Sequence, residues 1–309
     1  MAEQYYQRDV YGETLVKLGA LDKNVVVLDA DLSSSTRTNL FAQKFPDRFY
    51  NFGVAEQNMV ATAAGLASCG KTVFVSTFAV FASGRAWDQV RLAVSYNNFN
   101  VKIVATHAGI TVGPDGASHQ ALEDIALMRV LANMNIVVPC DGPQTADAIM
   151  AAASLPGPFY VRLGRPKVST IENKGAFKFG EAQQLTDGDD VTIAACGIMV
   201  SEAHSAVKNL AQKGIKARLI NIHTIRPLDN ETILKAARET KLIIVCEEHN
   251  TIGGLASSID EVVAESFPVK VVRVGVRNRF GQSGTPQELL KEYNLTSSDI
   301  EKAVLSNIS

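Results

Sequence analysis

Cysteine is scarce in this chain, and neither sign of charge dominates it. The 4 cysteines, Cys69, Cys140, Cys196 and Cys246, form no CxxC pair and no Cys/His cluster, so their spacing encodes neither a disulfide framework nor a zinc site. Free thiols, buried as small hydrophobes in a reducing cytoplasm, are the expectation for all of them. With 30 Lys and Arg against 32 Asp and Glu, the formal net charge of -2 offers nucleic acid or an anionic membrane no bulk attraction. No apolar run approaches the ~20 residues of a membrane helix. The opening MAEQYYQRDVYGETL lacks the basic-then-apolar order of a signal peptide. Heptads, internal repeats and low-complexity segments are missing as well. What is present is the composition of a soluble globular protein, 46% hydrophobic and 20% charged, over 309 residues, a length that accommodates two domains.

Short β-branched runs at 25–28, 72–76, 101–105, 136–139 and 159–161 read as buried strands. Ala-rich or amphipathic stretches at 54–67, 85–94, 122–131 and 144–153 read as the helices between them. This alternation predicts an α/β fold, a mainly parallel sheet covered by helices. It lapses across the polar, glycine-bearing 167–189 segment and resumes with strands at 191–195, 217–220, 242–246 and 269–274 and a helix at 201–213. Asp229 is placed to cap a further helix running to Glu239, its carboxylate accepting first-turn amides. The expected organisation is one α/β domain over 1–166, a linker over 167–189 and a second α/β domain over 190–309. Open parallel sheets hold ligands beyond the C-terminal ends of their strands, so the loops after residues 28, 76 and 105 are where chemistry should lie.

The first loop, Asp29-Ala30-Asp31-Leu32-Ser33-Ser34-Ser35-Thr36, is on its own an ordinary Asp/Ser-rich helix entry. Next, Asn51-Phe52-Gly53-Val54-Ala55-Glu56-Gln57-Asn58-Met59 puts Glu56 at the head of an apolar helix. A carboxylate there either pairs, keeps its proton, or simply favours the positive helix terminus. Phe78 and Phe81, three apart at a strand end, either hold a flat heterocycle or pack in a core. The most informative stretch is Thr106-His107-Ala108-Gly109-Ile110-Thr111-Val112-Gly113-Pro114-Asp115-Gly116-Ala117-Ser118-His119-Gln120. Its glycines and proline favour a non-helical path after a buried strand, and two histidines bracket an aspartate along it. Imidazoles that titrate near neutrality suit substrate hydroxyls or phosphate, whereas a metal would want a third ligand and tighter spacing. This stretch reads as a substrate loop.

Taken together and in this order, GVAEQNM, STFAVF and THAGITVGPDGASHQ resemble the pyrimidine-binding domain of transketolases. The similarity continues through Gly164-Arg165. In the second half, His223-Thr224-Ile225-Arg226-Pro227-Leu228-Asp229 and Glu247-Glu248-His249-Asn250-Thr251-Ile252-Gly253-Gly254-Leu255 resemble the family's C-terminal domain. The resemblance implies thiamine diphosphate as cofactor and transfer of a two-carbon ketol unit from a ketose phosphate to an aldose phosphate. It implies that Glu56 hydrogen-bonds the pyrimidine N1′, that Phe78 and Phe81 flank the ring, and that Asp31 lies near the cofactor. His107 and Asp115 would contact the donor's hydroxyls, with His119 close to the reacting carbon. Arg8, Ser35 and Arg165 would gather around the sugar phosphate, where guanidinium forks suit phosphate oxygens. Glu56, His107 and His119 are the candidate catalytic residues. The apolar setting of Glu56 would favour the protonated carboxyl that its contact requires. His204, His223 and His249 match no site motif and are assigned to surface or packing. Two departures stand out: Gly84 replaces a third aromatic common near the ring, and Gln57-Asn58 replace the His-Ala that often follows the glutamate.

The family's magnesium- and diphosphate-binding GDG motif, with its downstream asparagine pair, has no counterpart here. The nearest candidate, Thr186-Asp187-Gly188-Asp189-Asp190, lies in the linker without the asparagines. The resemblance therefore implies that this chain has no metal site. Mg2+ and the diphosphate would be held by an N-terminal-type partner subunit, in a heterotetramer of two chains of each kind. Beta subunits of 2-oxoacid dehydrogenases and 1-deoxyxylulose-5-phosphate synthases share parts of the pattern, but neither is expected to carry a histidine at position 107. A non-catalytic assembly subunit that kept the fold is the alternative of another class. The joint retention of Glu56, His107, Asp115 and His119 speaks against it.

Overall fold

The computed structural model describes residues 3–172 and 175–308 and contains two larger sheets. In spatial order, the first joins Thr224–Arg226, Asn135–Val137, Phe159–Arg162, Val101–Thr106, Thr72–Phe78, Val25–Asp29 and Phe49–Asn51. All neighbours run parallel except Thr224–Arg226, which pairs antiparallel with Asn135–Val137. The apolar runs are continuous because both faces are covered, as parallel sheets require. Successive side chains of the Val25–Asp29 strand enter opposite cores. Val25 and Val27 meet Tyr11 and Leu15 of helix Gln7–Leu21 and Ile149 of helix Gly142–Ser154. Val26 and Leu28 face the other way, into the cluster that contains Met59, Val60 and Ala63 of helix Glu56–Ser68.

The second sheet runs Lys270–Val276, Leu242–Asn250, Val191–Ala195, Ala217–Asn221 and Gln183–Thr186, with the last strand antiparallel. Helices Met199–Gln212 and Ser297–Leu305 pack against Ile193, Leu219 and Ile244 on one face. Helices Asn230–Glu239 and Leu255–Ser266 lie on the other, and their cluster is continuous with that of Glu56–Ser68 in the first sheet. The two sheets thus share apolar core. Asp229 caps its helix by accepting the Thr232 amide at 3.0 Å.

Several sequence expectations are corrected. The helix expected over 85–94 is interrupted by wide turns: Ala86 donates to the Phe81 carbonyl and Tyr96 to that of Arg91, each five residues back. The 167–189 linker is partly regular. Lys167–Ser169 pairs with Gln4–Tyr6, and Gln183–Thr186 edges the second sheet. Thr224–Arg226, expected in the second domain, completes the first sheet instead. Three cysteines are buried, but Cys69 is exposed, because it follows the last turn of helix Glu56–Ser68 just before Gly70 reverses the chain at φ +83°. Among the described residues, no helix is long and apolar enough to cross a membrane.

Candidate active site

Glu56 opens its helix and is 1% exposed. Its Oε1 accepts from Arg85 Nη1 at 2.8 Å, while its Oε2 is buried without a hydrogen-bond partner among the described residues. Of the alternatives the sequence left open, pairing is the one observed. Arg85 itself was missed by sequence reasoning. The available signal was its place as the one cation between Lys71 and Arg91, four residues beyond Phe81. The Arg85 guanidinium lies 4.7 Å from the Phe81 ring centroid, and Phe81 lies parallel to Phe78 with centroids 6.0 Å apart. His107 stacks on Phe78 at 3.9 Å, and His119 meets the Phe81 ring edge-on at 5.5 Å. Glu56, Arg85, Phe81, Phe78, His107 and His119 therefore form one continuous wall. The two phenylalanines do not form a slot, since sandwiching a flat ring needs two contacts of about 3.5 Å each. Space is open at Gly84, where a Cβ would meet nothing within 4 Å.

His107 ends its strand in the left-handed region, at φ +57°, with Nδ1 2.9 Å from Thr106 Oγ1. Burial, reinforced by the charges of Arg8, Arg165 and His119, pushes its pKa down to about 3. The expectation of an imidazole titrating near neutrality is corrected here, because burial favours the neutral ring. The loop beyond it is held from several sides. Gly109 donates to Ala121 O at 3.0 Å, Thr111 N donates to Glu248 Oε1 at 2.5 Å, and Gln120 Nε2 donates to the Ile110 and Gln282 carbonyls at 2.9 Å each. Asp115 is exposed at the far side of this loop, and Ser118 Oγ lies 2.9 Å from His119 Nδ1.

A cavity of about 450 Å³ is lined by Tyr6, Arg8, Arg165 and Lys167, with Thr111 and Gln287 among its other walls and no carboxylate. Arg8 and Arg165 thus meet as expected. Arg165 Nη1 donates to Val112 O at 2.6 Å, tying the cavity to the 107–120 loop. Arg8 Nη1 reaches the Ser35 carbonyl at 3.4 Å, so Ser35 touches this group through its backbone. Arg8 Nε is buried without a hydrogen-bond partner among the described residues, with the Asp9 carboxylate 4.0 Å away. Burial, and then the nearby Arg37 and Arg165 charges, lower the Arg8 pKa against the opposing pull of the Asp9 carboxylate, which pairs mainly with Arg37 at 2.6 Å. Asp31 stands apart. It is exposed at φ +65° and exchanges hydrogen bonds with Asn51 at 3.0 and 3.2 Å. Buried Asp29 shapes this loop by accepting from Leu32 N and from the Thr36 and Thr38 hydroxyls.

The remaining histidines serve packing or the surface. His223 is buried against Phe177, His249 accepts the Ala126 amide at 3.4 Å, and His204 is half-buried on helix Met199–Gln212. Among the described residues, no group of three metal-ligating side chains converges, the Asp187–Asp190 stretch included.

Residues 4–170 match the family described as the transketolase pyrimidine-binding domain, and residues 180–300 match the transketolase C-terminal domain. A Methanocaldococcus jannaschii protein, provisionally named as a transketolase C-terminal section, is 48% identical over 97% of this chain and 96% of its own length. The 6-deoxy-6-sulfo-D-fructose transketolase subunit SqwH of a Clostridium species is 40% identical over 97% of this chain and 94% of that one. Human transketolase is 36% identical over 96% of this chain, which spans 48% of the human protein. A solved structure titled as a split-gene transketolase, an inactive β4 tetramer, superposes with a TM-score of 0.89 at 47% identity, covering 98% of each chain. The chain belongs to the transketolase family, of which it carries the pyrimidine-binding and C-terminal domains.

Proposed function

We propose that this chain supplies the pyrimidine side of a thiamine-diphosphate site in a two-subunit cytoplasmic transketolase. The enzyme would move a two-carbon ketol unit from a ketose phosphate to an aldose phosphate. The observation that carries this reading is the buried, unpartnered Oε2 of Glu56 at the end of an aromatic wall. An orphaned carboxyl oxygen is costly until a ligand atom satisfies it, and a pyrimidine nitrogen lying against the wall would do so with one proton held between the two acceptors.

When bound, thiamine diphosphate supplies a carbon nucleophile and an electron sink. In this reading Glu56 holds the pyrimidine N1′ and fixes the ring's orientation. Phe78 and Phe81 form one side of the ring's seat and exclude water from it, and Asp31 lies on the approach. Neutral His107 and Asp115 bind the donor's hydroxyls, while His119, part-exposed at the wall's edge, holds or moves a proton near the reacting carbon. Arg8, Arg165 and the Ser35 backbone take the terminal phosphate in the carboxylate-free cavity. Mg2+ and the diphosphate belong to a partner subunit of N-terminal type, and the natural assembly is two chains of each kind. The relative titled as an inactive tetramer of one chain type, and the half-length match to human transketolase, support this division of labour.

The test is to isolate the native complex through a tag on this chain and supply xylulose 5-phosphate, ribose 5-phosphate, thiamine diphosphate and Mg2+. Cofactor-dependent sedoheptulose 7-phosphate formation, only with a second subunit present, is the expected result. Full activity from this chain alone would overturn the split site. A co-purified partner without that product would move the donor to another ketose, such as the sulfonated sugar in SqwH's name.

A further inference from the structure

The substrate loop is backbone-rich and poor in contacts of its own. Gly109, Gly113 and Gly116 all have φ between +75° and +89°, and His107 is left-handed too. Glycine permits such a path without fixing one, so contacts from outside the loop must hold it. The strongest outside contact comes from Glu248, 3% exposed in the Leu242–Asn250 strand of the second sheet. Its Oε1 accepts the Thr111 amide at 2.5 Å. Its carboxyl also fills the space beside Gly109 so fully that a Cβ there would lie 2.2 Å from Glu248 Cδ. The Glu248 backbone is itself anchored, its carbonyl accepting from Arg162 Nη2 at 2.9 Å. Arg162 in turn donates from Nε to Asp124 Oδ2 at 2.7 Å, and Tyr160 donates to the same oxygen at 2.8 Å.

We propose that Glu248 is a positioning residue: reaching from the second sheet, it fixes the backbone at Gly109 and Thr111 and thereby sets where His107 and Asp115 meet the donor sugar. Nothing in the ketol-transfer reading assigns Glu248 a part, although the kinetic arm of its test rests on that reading. The second sheet then has a task at the reacting end of the molecule, beyond stabilising the chain. The groups facing the Glu248 carboxyl are the Arg162 guanidinium and Asp124 carboxylate from the first domain and the Thr111 amide from the loop. Burial pushes its pKa up to about 7, against the pull of Arg162 and the Thr111 bond. As pH falls through this value the carboxyl gains a proton, and its grip on the amide weakens.

Amide hydrogen exchange on the full chain tests the positioning without any assay of activity. Glu248→Ala should hasten exchange at residue 111 by about tenfold or more, while Glu248→Gln, whose amide oxygen can still accept, should keep most of the protection. In the assembled enzyme, Glu248→Ala should raise the ketose KM about tenfold with kcat changed less than about threefold. Wild type should lose apparent ketose affinity as pH drops below about 7, and Glu248→Gln should lack that limb. Unchanged exchange at residue 111 in Glu248→Ala would overturn the proposal whatever the enzyme turns over. So would an identical acid limb in Glu248→Gln, the variant to rely on if the alanine form does not fold. A complex that shows the exchange effect but no ketol transfer would leave the positioning intact and sink the proposed function alone.

Discussion

The wall around Glu56 draws its side chains from three successive strand–loop units of one sheet. The cavity around Arg8 collects Tyr6 and Arg8 from the entry of the first helix, Arg165 and Lys167 from the far end of that domain, and Gln287 from beyond the second sheet. They also differ in completeness. The wall leaves Phe81 half-buried and Arg85 exposed, so one side is open. The cavity is lined by this chain's own segments, opens to solvent past exposed Gln4 and Lys167, and has no carboxylate among its walls. A surface finished by another molecule and a pocket finished by its own chain should respond differently to substitution and to assembly.

The sharpest break in that comparison is Glu56→Ala. Turnover of the assembled enzyme should fall roughly a thousandfold, about 4 kcal/mol in the barrier, with melting temperature little changed; unaltered activity would favour a non-catalytic assembly role. Arg8→Ala should act only on the anion. The KM of a ketose phosphate should rise about ten- to hundredfold, matching the roughly 1.5–3 kcal/mol of a charged hydrogen bond. An unphosphorylated ketose should be unaffected, and equal losses with both donors would separate Arg8 from the phosphate. Phe81→Ala should weaken the cofactor roughly two- to tenfold, from the ~0.5–1.5 kcal/mol an aromatic contact adds, as read from activation titrations.

The smallest effect concerns buried neutral histidines. His107 is depressed to about 3 and His223 to about 4, both below the 6.5 of an unfolded histidine. The unfolded chain therefore binds more protons, and this part of the stability is complete above pH 6.5 and lost as pH falls towards 4. Glu248, raised by burial, acts in the opposite sense between 4.5 and about 7. The difference between wild type and His223→Gln cancels that contribution. Melting temperature should fall less steeply from pH 7 to 5 in the variant, and parallel slopes would refute the assignment for His223.

Regular elements were legible wherever apolar runs outlasted local noise. Val191–Ala195 and the Asp229-capped helix appear as read, because β-branched continuity and a capping carboxylate are local signals. The wide turns between Phe81 and Tyr96 were not, since hydrophobic spacing cannot tell a five-residue hydrogen-bond step from a four-residue one. At the site, the sequence motifs brought His107, His119, Phe78, Phe81 and Glu56 to one place. Arg85 escaped notice because its partner lies on another helix, and Lys167 because three residues of strand gave no periodicity to read. Burial took the His107 pKa below the near-neutral range expected of an imidazole, and no local pattern reports burial by a fold not yet assembled.

The pairing of Thr224–Arg226 with Asn135–Val137 bears on the order in which this protein can be made. A ribosome that has delivered the whole matched pyrimidine-binding segment, through residue 170, has not delivered the strand that closes that sheet's border. Until residue 226 emerges, Asn135–Val137 presents unpaired amides and carbonyls to whatever strand it meets. A fragment cut between the two family segments should therefore be sticky, and the nascent chain should complete its first domain only while building its second.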